Sequence, residues 1–299
     1  MTRYRVEHRT TYTYDEEVTD SLGSAHLVPR ALPWQQVGAY DVSVLPRPGD
    51  LTHDTDYYGN PVQYFQVTEA HTELQVVGRG EVEVVVPEVD EDALARPWEE
   101  LRPLADPGAP GAWRATDLAL ASPAVPLHGG ARDYGAMSLT PGRPVGEAVT
   151  ELVSRIHAEF DYDPAATTVT STVSEILAQR AGVCQDFAHL TLSALRAHGL
   201  AARYVSGYLA TDPPPGKPRV FGADASHAWL AVWLGGDAWL PVDPTNDQRQ
   251  NDRYVTLAWG RDYGDVPPLK GVIFTEGSSS RLSVSVDVAP IAMIDDHRG

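Results

Sequence analysis

The period of the apolar residues changes twice along this 299-residue chain, and that change restricts the fold more than any other feature. From residue 1 to about 87 the period is two. Tyr4, Val6 and His8 alternate with charged neighbours, Tyr12 and Tyr14 continue the pattern, and Val42, Val44, 62–67, 74–77 and 82–86 form further short runs. Turn chemistry separates them at Pro46–Asp50 and Tyr58–Pro61, and Gly78 and Gly80 are expected to split the last run. A sandwich-like β domain is expected for 1–87. From 88 to 144 proline and glycine recur, which predicts an irregular connector with short helices near 90–95 and 113–121. It is not a free linker, since Trp98 and Trp113 need surfaces to pack on. Residues 145–299 then carry helical spacing followed by period-two strands, an α+β order.

Within that last region Val149, Leu152, Val153 and Ile156 share one helical face. Thr172 and Glu175 make a capping-box pattern that opens a short helix through Gln179. Gly182 ends it, and a second helix from about 183 to 198 buries Phe187, Leu190, Thr191, Ala194 and Leu195, with Gly199 at its close. Strands are expected at 202–209, 227–234, 238–243 and 282–288, with 211–218 a proline-rich surface loop.

Composition excludes several function classes. The formal charge of -18 repels phosphate backbones, so nucleic acid is not an expected partner. No run of 18 apolar residues is present, and the first residues lack the apolar stretch of a signal peptide, so a cytoplasmic protein without a membrane partner is expected. The chain has one cysteine, Cys184, which rules out an intrachain disulfide.

Cys184 falls at the first turn of the second helix. Unpaired backbone N–H groups and the macrodipole favour an anion there, and the thiolate is the nucleophilic form of cysteine. The same N–H groups suit an oxyanion. Ten histidines are available as a base. His189 lies five residues along the helix, about 140° around it, and points away. His198 sits in the last turn, where a dipole partner is the simpler role. His227 opens a strand whose face continues through Trp229, Ala231 and Trp233, and the returning strand ends at Asp243. If the intervening loop, Gly235–Asp237, has an odd number of residues, His227 and Asp243 share a face. With three loop residues they are diagonal neighbours, roughly 7–8 Å apart. Asp243 also suits an Asp-Pro turn. The pairing with His227 favours a catalytic set in which His227 moves the thiol proton and Asp243 orients the imidazole.

Four segments carry these residues: GVCQDFAHL at 182–190, RYVSGY at 203–208, HAW at 227–229 and VDPT at 242–245. In order and spacing they resemble the transglutaminase-like superfamily. Tyr4–Tyr14 with Pro29 and Arg30, Tyr58–Asn60, and Gly260–Pro268 extend the resemblance to the bacterial branch with an N-terminal β domain. The resemblance implies a papain-like core, a cysteine helix packed on an antiparallel sheet, with Cys184, His227 and Asp243 as its catalytic residues. It implies an acyl-enzyme at Cys184 on a peptide or protein amide. Acidic loops like those of calcium-dependent members are not found, so no metal and no cofactor is expected. Tyr162 is a candidate second oxyanion donor, with a packed core tyrosine as the equal alternative. Arg261, Asp262 and Tyr263 in the 260–268 loop either shape a substrate cleft or form an internal ion pair and a buried ring.

Rival chemistries lack their motifs. The chain has no G-x-S-x-G elbow, H-E-x-x-H helix, P-loop or dinucleotide fingerprint. Asp161 and Asp163, two apart before Pro164, read as turn residues rather than a glycosidase pair. Hydrolysis is the expected fate of the acyl group, because water is always at hand. An amine acceptor and a catalytically silent binding module are the alternatives.

Overall fold

The computed structural model describes residues 1–212 and 226–291. The expected loop at 211–218 therefore lies, from residue 213 on, outside the described residues. The chain opens with β1 (Thr2–Ala25), β2 (Gln35–Leu45), β3 (Asp50–Thr55), β4 (Pro61–Val67) and β5 (His71–Val84). The first part of β1 pairs antiparallel with β5, and its end pairs with β4. β2 and β3 pair in turn with β5 and β4.

The expected break at Gly78 and Gly80 does not occur, since β5 runs unbroken. These glycines admit a close neighbour instead. A Cβ on Gly80 would lie 2.4 Å from the Ala39 carbonyl oxygen, and one on Gly78 would lie 3.0 Å from Leu27 Cβ.

The middle of the chain holds α1 (Glu91–Leu94), α2 (Ala112–Ala115) and α3 (Gly129–Ala136). Trp98 is buried and donates its indole N–H to the Thr140 carbonyl at 2.9 Å. Trp113 is not: α2 buries Ala112 and Ala115, three apart on one face, and turns Trp113 outward to 73% exposure. There Arg114 covers its ring at 4.9 Å.

The next elements are α4 (Val145–Glu159), β6 (Asp161–Tyr162), α5 (Val173–Gln179), β7 (Ala181–Gly182) and α6 (Cys184–Ala197). The predicted capping box is present: the Thr172 N–H donates to Glu175 Oε2 at 2.8 Å, and the Glu175 N–H to Thr172 Oγ1 at 3.3 Å. A second antiparallel sheet follows, from β8 (Ala202–Leu209), β9 (Ser226–Gly235), β10 (Ala238–Asp243), β11 (Gln248–Arg249) and β12 (Tyr254–Gly260), in the order β11-β10-β9-β8-β12. Leu190 and Leu195 of α6 join Ala202, Leu230 and Val232 of this sheet in the main core. No helix among the described residues is long and apolar enough to cross a membrane.

The chain then returns to the first sheet. β13 (Leu269–Thr275) pairs with the end of β1 and β14 (Ser280–Pro290) with its start, on the edge opposite β4 and β5. The sequence reading expected a strand only at 282–288 and placed it in the 145–299 catalytic region. Alternation identified a half-buried strand there, but it carries no information on which strand is the partner. The first sheet thus consists of four long antiparallel runs: 35–55, 61–84, 2–25 and 269–290. Each is interrupted at the same level, at 46–49, 68–70, between Thr13 and Val18, and at 276–279. At that level Asp15 accepts the Ser278 and Ser279 N–H groups at 3.3 and 3.1 Å. The sheet curls there over its own core, which includes Val18, Leu27, Val44, Phe65, Val67 and Val76. Tyr4, Val6, Val82, Val84, Val286 and Val288 pack instead into the main core, so one apolar interior joins the curled sheet to the helices.

Candidate active site

Cys184 is the first residue of α6 and is half-buried. Val183 before it is extended, with φ -117 and ψ 178, and its carbonyl takes the first intrahelical bond, from the Phe187 N–H at 3.1 Å. The N–H groups of Cys184, Gln185 and Asp186 thus have no acceptor in the preceding turn. Asp186 Oδ2 reaches back to the Val183 N–H at 2.9 Å and accepts the Thr167 hydroxyl at 2.5 Å. This contact explains Gly182, where a Cβ would stand 2.8 Å from Asp186 Oδ2. Gly182 also pairs with Tyr162 across the short parallel β6–β7 ladder, which places Tyr162 beside the segment leading into the nucleophile. Tyr162 is 58% exposed, so the packed-core alternative does not hold.

The β9–β10 hairpin turns through only two residues, Gly236 and Asp237. A loop of two would put His227 and Asp243 on opposite faces. A one-residue bulge at Leu234 restores the parity: Gly235 pairs with Ala238, but Trp233 pairs with Trp239, and Leu230 with Val242. His227 Nε2 lies 2.7 Å from Asp243 Oδ2. Cys184 lines the same cleft as the imidazole and acts on its titration. Burial pulls the His227 pKa down, but the hydrogen bonds to Asp243 and Cys184 and the charges on both push it up to about 10. The imidazolium is thus the favoured form at neutral pH.

Asp243 is fully buried. Burial alone would raise its pKa, yet the bonds from His227, Asn246 and Tyr254 hold it below the usual carboxylate value. Oδ2 accepts His227 at 2.7 Å, Asn246 Nδ2 at 2.7 Å and the Tyr254 hydroxyl at 2.6 Å. Oδ1 accepts the N–H groups of Thr245 at 2.8 Å and Asn246 at 3.3 Å. Both sequence readings of Asp243 therefore hold at once, with one oxygen shaping the Asp-Pro turn and the other engaging the histidine.

Sequence reasoning missed Asn246 and Tyr254. The turn-forming run after Asp243 signals Asn246. Nothing local signals Tyr254, which arrives on β12, is steadied by Gln248 Nε2 at 2.6 Å, and packs beside Trp229 with ring centroids 5.2 Å apart. Trp229 also stacks along the His227 ring, with centroids 6.0 Å apart and planes 24° apart.

The other candidates separate clearly. His189 is 1% exposed and accepts the Tyr263 N–H at 3.2 Å. Burial pushes its pKa down to about 4, and it is a neutral packed residue. His198 meets the Arg132 carbonyl at 3.0 Å and the edge of Trp98. Asp163 Oδ1 accepts the Ala165 N–H at 2.8 Å, as a turn residue does. In the 260–268 loop Arg261 pairs with Asp265 at 2.9 Å and Asp262 binds the N–H groups of Gly264 and Ala124, while Tyr263 reaches the cleft wall. The internal ion pair is present, and the Tyr263 ring is half-buried at the cleft rather than enclosed in the core.

Cys184 and His227 open into a cleft of about 270 Å³. Its far wall is the curled sheet, with Thr10 and Tyr12 of β1 opposite Val284 and Leu282 of β14. Toward Val6, Val286 and Val288 this sheet face is closed in the main core, whereas Val284 and Leu282 are 49% and 54% exposed. The cleft is where the curled sheet diverges from α6 and the second sheet. No group of three or more His, Cys, Asp or Glu side chains suited to a metal ion occurs among the described residues.

Comparison with known proteins accords with this arrangement. Residues 4–83 match the bacterial transglutaminase-like N-terminal region and 136–244 match the transglutaminase-like superfamily. An uncharacterized protein of Mycobacterium tuberculosis is 45% identical over 295 residues, which span 96% of this chain and 93% of the relative. A protein-glutamine gamma-glutamyltransferase of Pseudomonas aeruginosa is 32% identical over 127 residues, 40% of this chain and 19% of that protein. The crystal structure of "a putative cysteine protease" from Cytophaga hutchinsonii superimposes with a TM-score of 0.73 at 18% identity, covering 97% of this chain and 93% of the other. At that identity the likeness is one of fold.

Proposed function

Because the chain belongs to the transglutaminase-like superfamily, with its bacterial N-terminal region, we propose that it is a thiol-dependent enzyme that cleaves peptide or protein amides through a thioester at Cys184. The observation that carries the proposal is the imidazole of His227, bonded to a buried, fully engaged Asp243 carboxylate and sharing its cleft with Cys184, which acts on its titration. In this reading the Cys184 sulfur attacks the amide carbonyl while its proton resides on His227. The N–H groups at the start of α6 take the oxyanion. His227 then protonates the departing amine, and water, deprotonated by the same imidazole, releases the acid.

An amine acceptor in place of water is the second reading. It is favoured by the shared segment of the Pseudomonas protein-glutamine gamma-glutamyltransferase. The deciding experiment incubates the protein with glutamine-containing peptides, with and without a primary amine, and reads the products by mass spectrometry. Cleaved or deamidated peptide in both reactions supports hydrolysis. Amine-bearing product overturns it in favour of the second reading. Failure of any acyl probe to label Cys184 overturns both.

A further inference from the structure

A second cavity, of about 90 Å³, shares no lining residue with the cleft. Its floor is Ala231 of β9, directly across from Arg203 of β8, and the single methyl group leaves the space open. Arg203 is 7% exposed. Its guanidinium carbon lies 4.2 Å from the ring centroid of Trp239 and 3.6 Å from that of Trp259. Indole faces attract a guanidinium but offer nothing to the N–H groups along its edge. Among the described residues no carboxylate acts on Arg203, and Nε has no hydrogen-bond partner. The neighbouring charge that does act on it is Arg30, stacked on Trp259 at 3.6 Å and itself a cation. Trp34 lines the same cavity, and its buried indole N–H is also without a partner. Two of the three acidic residues on the wall are engaged elsewhere. Asp90 caps the Ala93 N–H at 3.0 Å, Asp237 pairs with Arg114 at 3.0 Å, and Glu88 is exposed.

A buried guanidinium whose Nε has no acceptor, and a buried indole N–H in the same position, are costly unless something supplies the missing oxygens. We propose that this cavity binds a small oxyanion, a carboxylate or a phosphate, on the guanidinium edge of Arg203 and the indole N–H of Trp34. The planar fork of arginine suits two oxygens of such a group. Gln250 lines the cavity and accepts the Trp229 indole N–H at 3.1 Å, so the site lies one hydrogen bond from the ring that stacks on His227. The proposal does not depend on the acyl-transfer reading.

Thermal unfolding in increasing sodium acetate, and separately in sodium phosphate, tests it, with sodium chloride holding ionic strength constant. A saturable rise in Tm with either oxyanion is expected, and which of the two acts identifies the source of the group. Arg203→Met keeps the volume without the charge and is expected to abolish the rise. Trp34→Phe keeps the ring and is expected to raise the half-saturating concentration about tenfold, the weight of one hydrogen bond to a charged group. If Arg203→Met does not fold, Trp34→Phe still decides. No saturable rise beyond chloride with either salt, or an undiminished response in Trp34→Phe, overturns the proposal.

Discussion

Asp243 Oδ2 accepts three hydrogen bonds, and each donor isolates a different contribution to the site. Cys184→Ala removes the nucleophile and is expected to lower turnover at least about 10⁴-fold in a peptide-cleavage assay, with Tm little changed. Tyr254→Phe removes one charge-assisted bond of about 1.5 kcal/mol from the carboxylate that steadies His227, so kcat is expected to fall about tenfold with KM unchanged. The pH dependence of stability follows from His227. Its pKa, pushed up to about 10, lies above the ordinary 6.5. Its contribution is therefore complete below about pH 6.5 and is lost as pH rises through 10. Calorimetry from pH 6 to 10 is expected to show wild type losing Tm faster than His227→Gln, which has no such proton to lose. The place of Cys184 at a helix start and the meeting of His227 with Asp243 were legible in the sequence because strand parity and a helix start are local properties. Tyr254 was not, since its contact depends on how β12 lies beside distant strands. Arg203 was read only as part of a motif, and its lack of a counter-charge among the described residues is visible only in three dimensions.

At the level of single elements, two small departures from regularity fix the site. The first is the bulge at Leu234. The sequence pointed to an odd loop, and the chain has a two-residue turn plus one bulged residue, which gives the same facing by another route. Hydrophobic parity specifies which side chains share a face but not where the extra residue sits. The second is the tight entry to α6. Gly182→Ala would press a methyl group against Asp186, whose oxygen holds the Val183 N–H. A loss of about 2 kcal/mol is expected by chemical denaturation, together with slower alkylation of Cys184, because the helix start must shift. Glycine was read there as a helix breaker. Its reason is the close approach of a carboxylate.

At the level of the whole molecule, the curled sheet is part of the cleft. Leu282→Asp, at a half-exposed position, is expected to leave Tm and the rate of Cys184 alkylation by iodoacetamide unchanged while lowering kcat/KM for peptides with apolar side chains about tenfold. Equal kcat/KM in the two proteins would show that substrate does not touch this wall. The sequence reading divided the chain into a β domain at 1–87, a connector at 88–144 and a catalytic region at 145–299, from changes in hydrophobic period. What periodicity does not encode is closure, since residues 269–290 return to β1, with Tyr4 opposite Pro290. The order of synthesis gives that closure a consequence. The ribosome releases β1 early, but β1 remains an open edge until β13 and β14 emerge. A chain still being translated holds Cys184, His227 and Asp243 before it holds Leu282 and Val284. It has those three side chains without the wall that Leu282 and Val284 form, so the cleft is complete only once translation has passed β14.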